Sequence, residues 1–315
     1  MARFDNVLDT IGDTPLVDIS ELSPNPRVRV LIKLEGLNPA GSIKDRAAKS
    51  MIEEAEKNGN LVPGQRILES SSGNTAAGLA MIAKVKGYLF TVVVPENVSS
   101  ERVKLLRAFG AEVVFSPAEE GSNGAMRRAQ ALASEHPDWW FSFQYGNQAN
   151  PKAHYEGTGP EIWRDCPEVT HFVAGLGTAG TIIGVGKFLK ERNPDIHVWA
   201  IQPPAGETVE GLKNLDDGFV PPVFIDNDGY SLLDRNRVVG PKESIEWTRR
   251  LADVGIFAGI SSGAAMAGVA KCAAEIGEGT IVTVSPDGGW KYLSTDAWTG
   301  DLDEVAERAR RELYF

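Results

Sequence analysis

The chain has 315 residues, enough for two ordinary domains with separate cores, and its 42% apolar and 24% charged residues are those of a globular protein. A formal net charge of −11 argues against nucleic acid or an anionic membrane as the main partner, so any anionic ligand must be caught by local amides or a few lysines. The opening MARFDNVLDT carries acids and no apolar core, and no apolar run approaches membrane-spanning length; a soluble, cytoplasmic protein without a signal peptide is expected.

Apolar, β-rich runs alternate with helical patterns along the chain. VRVLIKLE (28–35) predicts a strand. NPAGSIKDRAA (38–48) then opens a helix: Ser42 followed three residues later by Asp45 is a capping-box pattern, and an apolar face runs through Ala47, Ala48, Met51, Ile52 and Ala55 to about Asn58. RILES, a helix over 74–86 closed by Gly87, LFTVVVP, a helix from Ser100, AEVVFS, a helix over 122–136 and WWFSFQ follow. The second half continues with THFVAGLG, a helix after Thr181, HVWAIQ, helices over 241–254 and after Ser262, TIVTVS and a closing helix over 301–312. Such alternation predicts an α/β protein with parallel sheets and helices on both faces. Residues 203–235, rich in Pro, Gly and Asp, read as a long loop region. Cys166 and Cys272 stand far apart without a CxxC neighbour, which predicts buried thiols rather than a disulfide or a metal site.

Ligands of open α/β sheets sit at the carboxyl ends of the strands, and here those ends carry ESSSGNT (69–75), GLGTAGT (175–181) and GISSGAA (259–265), each leading into a helix. Each is a tight turn or an anion site with helix-start amides. GLGTAG matches the dinucleotide fingerprint literally, but that motif needs an acid about 20 residues on, at the end of the next strand. HVWAIQPP ends there in Gln202 and two prolines. A loop holding a single phosphate, helped by the Thr178 and Thr181 hydroxyls, fits better. Lys44 falls in the first turn of its helix, where the macrodipole disfavours a cation. A solvated lysine is the ordinary reading; beside a phosphate cradle, the same field favours a neutral, nucleophilic amine and suggests pyridoxal 5′-phosphate. His136, His154, His171 and His197 stand in unrelated contexts, and His171 and His197 open apparent strands as structural residues.

NPAGSIKDR, SSGNT, GTAGT and GISSGA, in this order and at these separations, resemble the cysteine synthase family of fold-type II pyridoxal-phosphate enzymes. The likeness runs from IGDTPLV (11–17) through PENVSSERVKLLRAFGAEV to GWKYLST (289–295). Within the family it is greatest to the B-type branch that takes O-phosphoserine, on QYGN, HYEGTGPE, THFVAGLGT and DDGFVP. The resemblance implies two three-layer α/β domains with mostly parallel sheets and the cofactor in the cleft between them. Residues 46–150 would form the smaller domain, and 1–45 with 151–315 the larger. Lys44 would hold the cofactor covalently and move the substrate Cα proton; Asn74 would bond the ring hydroxyl oxygen. Gly177, Thr178, Ala179, Gly180 and Thr181 would hold the cofactor phosphate, and Ser261 would meet the pyridine nitrogen. Ser71, Ser72, Gly73, Thr75 and Gln144 would receive the amino-acid substrate. No metal is implied.

The implied reaction is a ping-pong β-replacement that makes L-cysteine, with O-phosphoserine favoured and O-acetylserine next. SSGNT stands where the family usually has TSGNT, so Ser71 keeps the hydroxyl and loses a methyl. Lys213 in EGLKN stands where the phosphoserine branch has an arginine; the charge survives and the bidentate fork does not. The sulfur donor would be sulfide or the thiocarboxylate of a small sulfur-carrier protein. The tail ending in Leu313, Tyr314 and Phe315 resembles that branch's closing tail, and reads equally as an amphipathic helix with a frayed end. A homodimer is the family's expectation. The alternatives are a cystathionine β-synthase-like enzyme, a dehydratase-like lyase that adds no thiol, and a non-enzymatic binding module, which would leave Lys44 without a purpose.

Overall fold

The computed structural model describes residues 3–311. In chain order the first half holds β1 (Leu16–Asp18), β2 (Val28–Leu34), α1 (Lys44–Lys57), β3 (Arg66–Ser70), α2 (Asn74–Lys86), β4 (Leu89–Pro95), α3 (Ser100–Ala108), β5 (Glu112–Ser116), α4 (Gly121–Glu135) and β6 (Trp140–Phe141). Next come α5 (Ala149–Ala153), a π-helix (His154–Thr158), α6 (Gly159–Asp165), β7 (His171–Gly175), α7 (Gly180–Arg192) and β8 (His197–Gln202). The remainder is α8 (Pro222–Asp226), α9 (Gly229–Leu232), β9 (Arg235–Val238), α10 (Pro241–Asp253), α11 (Ile260–Glu275), β10 (Gly279–Ser285) and α12 (Leu302–Arg311). The described residues form two compact units: 3–11 with Asn38–Asn150, and Gly12–Leu37 with 151–311.

The first unit is built on a parallel four-stranded sheet in the order β5-β4-β3-β6. Strand alternation sorts its core: Ile67, Val92 and Val94 pack against Ala48, Met51 and Ile52 of α1 and Leu79 and Ile82 of α2, while Leu68 and Val93 face Ala125, Ala129 and Leu132 of α4. Each fully buried Ile, Leu or Val contributes about 1.5–3 kcal/mol relative to exposure. α2 ends on Gly87 in the left-handed conformation, its N–H bonded to the Ala83 carbonyl, as the sequence predicts.

The second unit has a six-stranded sheet in the order β1-β2-β10-β7-β8-β9, parallel except for the β1–β2 pair. Val30, Ile32, Val173, Ile201 and Ile281 pack on one face against α10, α11 and α12. α7 covers Val198, approached so closely at Gly186 that a Cβ there would lie 3.3 Å from the valine methyls. β2 also carries Lys33, fully buried, whose Nζ donates to the Thr14 carbonyl and to Glu161 Oε2, both at 2.8 Å.

Three local expectations are corrected. The capping box at Ser42 does not form. Helix α1 starts at Lys44, whose N–H donates to Ser42 Oγ at 3.2 Å, and Gly41 at φ +83° turns the chain so that Asp45 accepts from the Ala40 N–H at 2.6 Å. The WWFSFQ strand is confined to Trp140–Phe141, because Phe143 adopts φ +42° and breaks the extension. The loop region 203–235 holds the short helices α8 and α9, the first seated by buried Val223 and Phe224. α12 is amphipathic and buries Val305 and Ala306; the Leu313–Phe315 tail lies outside the described residues. No described helix is long and apolar enough to cross a membrane.

Candidate active site

In the first unit, β3 runs into the Ser71–Gly73 turn, and α2 starts directly at Asn74 with Gly73 as its N-cap and no side chain capping it. The first-turn amides of an α-helix have no intrahelical acceptor, so this turn suits a carboxylate. Ser72 and Thr75 are buried, and Ser71 is half-buried. Thr75 donates its hydroxyl to Gln144 Oε1 at 2.6 Å, joining the helix start to the segment after β6. Lys44, half-buried at the head of α1, is brought to the same region by close packing of α1 on α2. A Cβ on Gly78 would stand 3.4 Å from the Asp45 α-carbon, and Gly78 lies one helical turn beyond Asn74.

In the second unit, Gly177, Thr178, Ala179, Gly180 and Thr181 form the turn from β7 into α7. Ala179 takes the left-handed conformation (φ +70°) as N-cap, a backbone reversal that turns successive amides to one side. Gly177 has no alternative: a Cβ would lie 2.5 Å from the Gly211 carbonyl oxygen. Gly211, itself at φ +81°, stands so that a Cβ would reach Ser261 Cβ at 3.6 Å, and the Lys213 N–H donates to the Leu176 carbonyl at 2.7 Å. Gly177, Gly211, Lys213 and Ser261 are therefore one neighbourhood. Ser261 lies in the first turn of α11, whereas Ser262 is fully buried and shares a 3.0 Å hydroxyl contact with Ser285. Amides at an α-helix start, with the Thr178 hydroxyl beside them, are the donor set a phosphate dianion needs, so these residues fit pyridoxal phosphate. Lys213 is half-buried, its Nζ 5.8 Å over the Phe219 ring; burial holds its ammonium below the ordinary value, against the opposing pull of Asp217.

Two polar groups beside these loops escape sequence reasoning. His154, fully buried in the π-helix, bridges Thr158 Oγ1 at 3.0 Å (Nδ1) and Thr181 Oγ1 at 3.4 Å (Nε2), so the Thr181 hydroxyl is oriented by an imidazole. Glu69, the acid at the head of ESSSGNT, is fully buried, and burial pushes its carboxyl up to about 7. An acid ending an apolar strand was its only signal in the sequence. The two cysteines, His171 and His197 stand apart from these loops as structural residues. Cys166 and Cys272 are buried, which pushes their thiols up to about 11 and 12. His171 stacks on His197 across the β7–β8 register at 4.9 Å.

Residues 7–287 match the family model of pyridoxal-phosphate dependent enzymes. A probable cysteine synthase of Bacillus subtilis (strain 168) is 42% identical over 307 residues, 93% of this chain and 97% of its own. Cysteine synthase B of Salmonella typhimurium (strain LT2) is 42% identical over 288 residues, 91% and 93% of the two chains. Among solved structures, O-ureido-L-serine synthase superposes with a TM-score of 0.88 at 38% identity, covering 96% of this chain and 99% of that one. Likeness of sequence and of fold, each over most of both chains, leads to one conclusion: the chain belongs to the cysteine synthase family of pyridoxal-phosphate dependent enzymes.

Proposed function

We propose that the chain makes L-cysteine from O-phospho-L-serine, with O-acetyl-L-serine as the weaker substrate and sulfide or a sulfur-carrier thiocarboxylate as donor. Pyridoxal phosphate, when bound, supplies the electron sink that lets the substrate Cα–H bond break. Lys44 holds the cofactor, takes the Cα proton as the leaving group departs from Cβ, and returns it after sulfur has bonded to Cβ. Gly177, Thr178, Ala179, Gly180 and Thr181 anchor the cofactor phosphate, with His154 orienting Thr181. Asn74 meets the ring hydroxyl oxygen. Ser261 meets the pyridine nitrogen with a hydroxyl instead of a carboxylate, which leaves the ring a weaker electron sink and favours loss of the β-substituent. Ser71, Ser72, Gly73, Thr75 and Gln144 receive the substrate carboxylate. The sulfur-carrier reading rests on the resemblance of the tail alone. The family resemblance also supports a homodimer in the cytoplasm, and a monomeric mass by light scattering would overturn the dimer.

The observation that carries the phosphoserine preference is Lys213. Its backbone is tied to the 175–181 loop, and burial penalises its charge, so a phosphate dianion on the substrate restores what burial removes. Comparing kcat/KM for the two donors in wild type and Lys213→Ala tests this. Loss of a charge-assisted bond lowers phosphoserine turnover by about tenfold or more and leaves acetylserine turnover nearly unchanged. Equal effects on both donors, or none, overturn the preference. Lys44→Ala abolishes turnover of either donor, and a near-normal rate would end the assignment of Lys44.

A further inference from the structure

Glu69 is a fully buried acid that the mechanism leaves unused. Glu69 is ringed by donors from two separate segments: Oε1 accepts from the Ser70 N–H at 2.8 Å, and Oε2 from the Ser142 hydroxyl at 2.7 Å and the Gln144 N–H at 3.3 Å. Ser70 leads directly into Ser71–Thr75, and Gln144 is the residue that accepts the Thr75 hydroxyl. Between Ser142 and Gln144 stands Phe143 at φ +42°, a conformation costly for an aromatic residue and kept only where its neighbours are pinned. Glu69 holds both flanking residues. The turn is closed from the other side by the Gly146 and Asn147 N–H groups on the Phe143 carbonyl, at 3.0 and 3.1 Å.

We propose that Glu69 is a positioning residue for the amino-acid end of the site: its ionised carboxylate fixes the Ser71–Thr75 loop and Gln144 at their working separation, and protonation releases them. The inference rests on the reading that this loop receives the substrate carboxylate. The geometry accommodates both protonation states. Ser142 Oγ also lies 3.1 Å from the Leu68 carbonyl. When Glu69 is ionised, the single hydroxyl proton goes to the carboxylate. When Glu69 is neutral, its own proton goes to Ser142 Oγ, the hydroxyl turns to Leu68, and the Gln144 N–H exchanges a charged acceptor for a weaker neutral one.

Burial pushes the carboxyl up and the three donors work against it, leaving it at about 7, where the release falls near neutrality. The titratable group that responds to it is Tyr145, pushed up to about 12 chiefly by its own burial and then by Glu69. Strand β4 faces β3 with Thr91, Val92 and Val93, β6 with Trp140 and Phe141, and α2 begins with Asn74 and Thr75. α1, packed on α2, carries Lys44, Asp45 and Arg46 in its first turn.

Steady-state kinetics of the cofactor-loaded enzyme with O-acetyl-L-serine, O-phospho-L-serine and sulfide, across the neutral pH range, test the proposal. In wild type, KM for the amino acid rises as pH falls through about 7. Glu69→Gln keeps the size and one acceptor oxygen and mimics the neutral form. Its KM is about tenfold higher and loses the inflection, with kcat moving less than KM. Ser142→Ala, which keeps Glu69, removes one donor from the carboxylate and moves the inflection to higher pH. Unchanged KM and pH profile in Glu69→Gln, or an unmoved inflection in Ser142→Ala, overturns the role of Glu69. Thr75→Ala separates the two levels. If it raises KM while Glu69→Gln does not, the positioning role alone fails; if it leaves KM unchanged, the reading of the loop fails and the proposal with it.

Discussion

Glu69 and His171 are two buried groups whose protonation is displaced in opposite senses. Burial, followed by repulsion from His197, lowers His171 from 6.5 to about 4. The unfolded chain then binds a proton that the folded chain refuses, so this contribution to stability is complete above about 6.5 and is lost as pH falls toward 4. Glu69 is raised from 4.5 to about 7, so the folded chain keeps a proton that the unfolded chain releases. Its contribution is complete below about 4.5 and is lost as pH rises to 7. Over the shared window the two slopes oppose each other and flatten the wild-type profile. Melting temperatures against pH should therefore diverge. Relative to wild type, His171→Gln loses stability with rising pH, and Glu69→Gln gains it. Parallel profiles for all three proteins would show that neither group is displaced.

Among the elements, helix starts and helix contacts divide the glycines between them. Gly177 is spent on the approach to Gly211 in the phosphate loop, and Gly263 of the similar-looking GISSGAA on helix packing. A Cβ on Gly263 would lie 2.0 Å from the Ser244 carbonyl oxygen and 2.2 Å from Thr248 Oγ1, both on α10. Gly263→Ala must push α10 and α11 apart, at about 1–3 kcal/mol, the usual cost of overpacking. Urea denaturation should show a lower midpoint at an unchanged slope, and an unchanged midpoint would mean that the helices yield freely. Gly-rich loops look alike in sequence; only the neighbour that each glycine touches tells a ligand cradle from a packing notch.

For the molecule as a whole, cofactor and fold are linked through mass action. A ligand held only by the folded state at 100 times its Kd stabilises by about 2.7 kcal/mol. Stripping pyridoxal phosphate should lower the melting temperature by several degrees, and adding it back should restore the original value. Equal melting temperatures with and without the cofactor would contradict binding to the folded chain. The second unit has its own long-range ties in Lys33, Glu161, Asp13 and Thr14. Glu161 accepts from the Lys33 ammonium at 2.8 Å and from the Asp13 N–H at 3.0 Å. Thr14 donates to Glu35 at 2.7 Å. The two Glu161 bonds join the 12–37 segment to a residue well over a hundred positions away, and the Thr14–Glu35 bond closes the segment on itself.

Local order determined what the sequence made legible. An apolar face marks α1 and apolar runs mark most strands, a lysine stands out in a first helical turn, and small-residue turns follow strand ends, because each signal needs only residues within a few positions. The β6 truncation, the displaced start of α1, the Lys213–Leu176 tie and the roles of Glu69 and His154 needed the tertiary structure. Glu69 meets Ser142 and Gln144 from more than seventy residues away, and His154 meets Thr181 from 27. A buried polar group is defined by the partners that satisfy it, and when those come from other segments, only the folded chain brings them within reach.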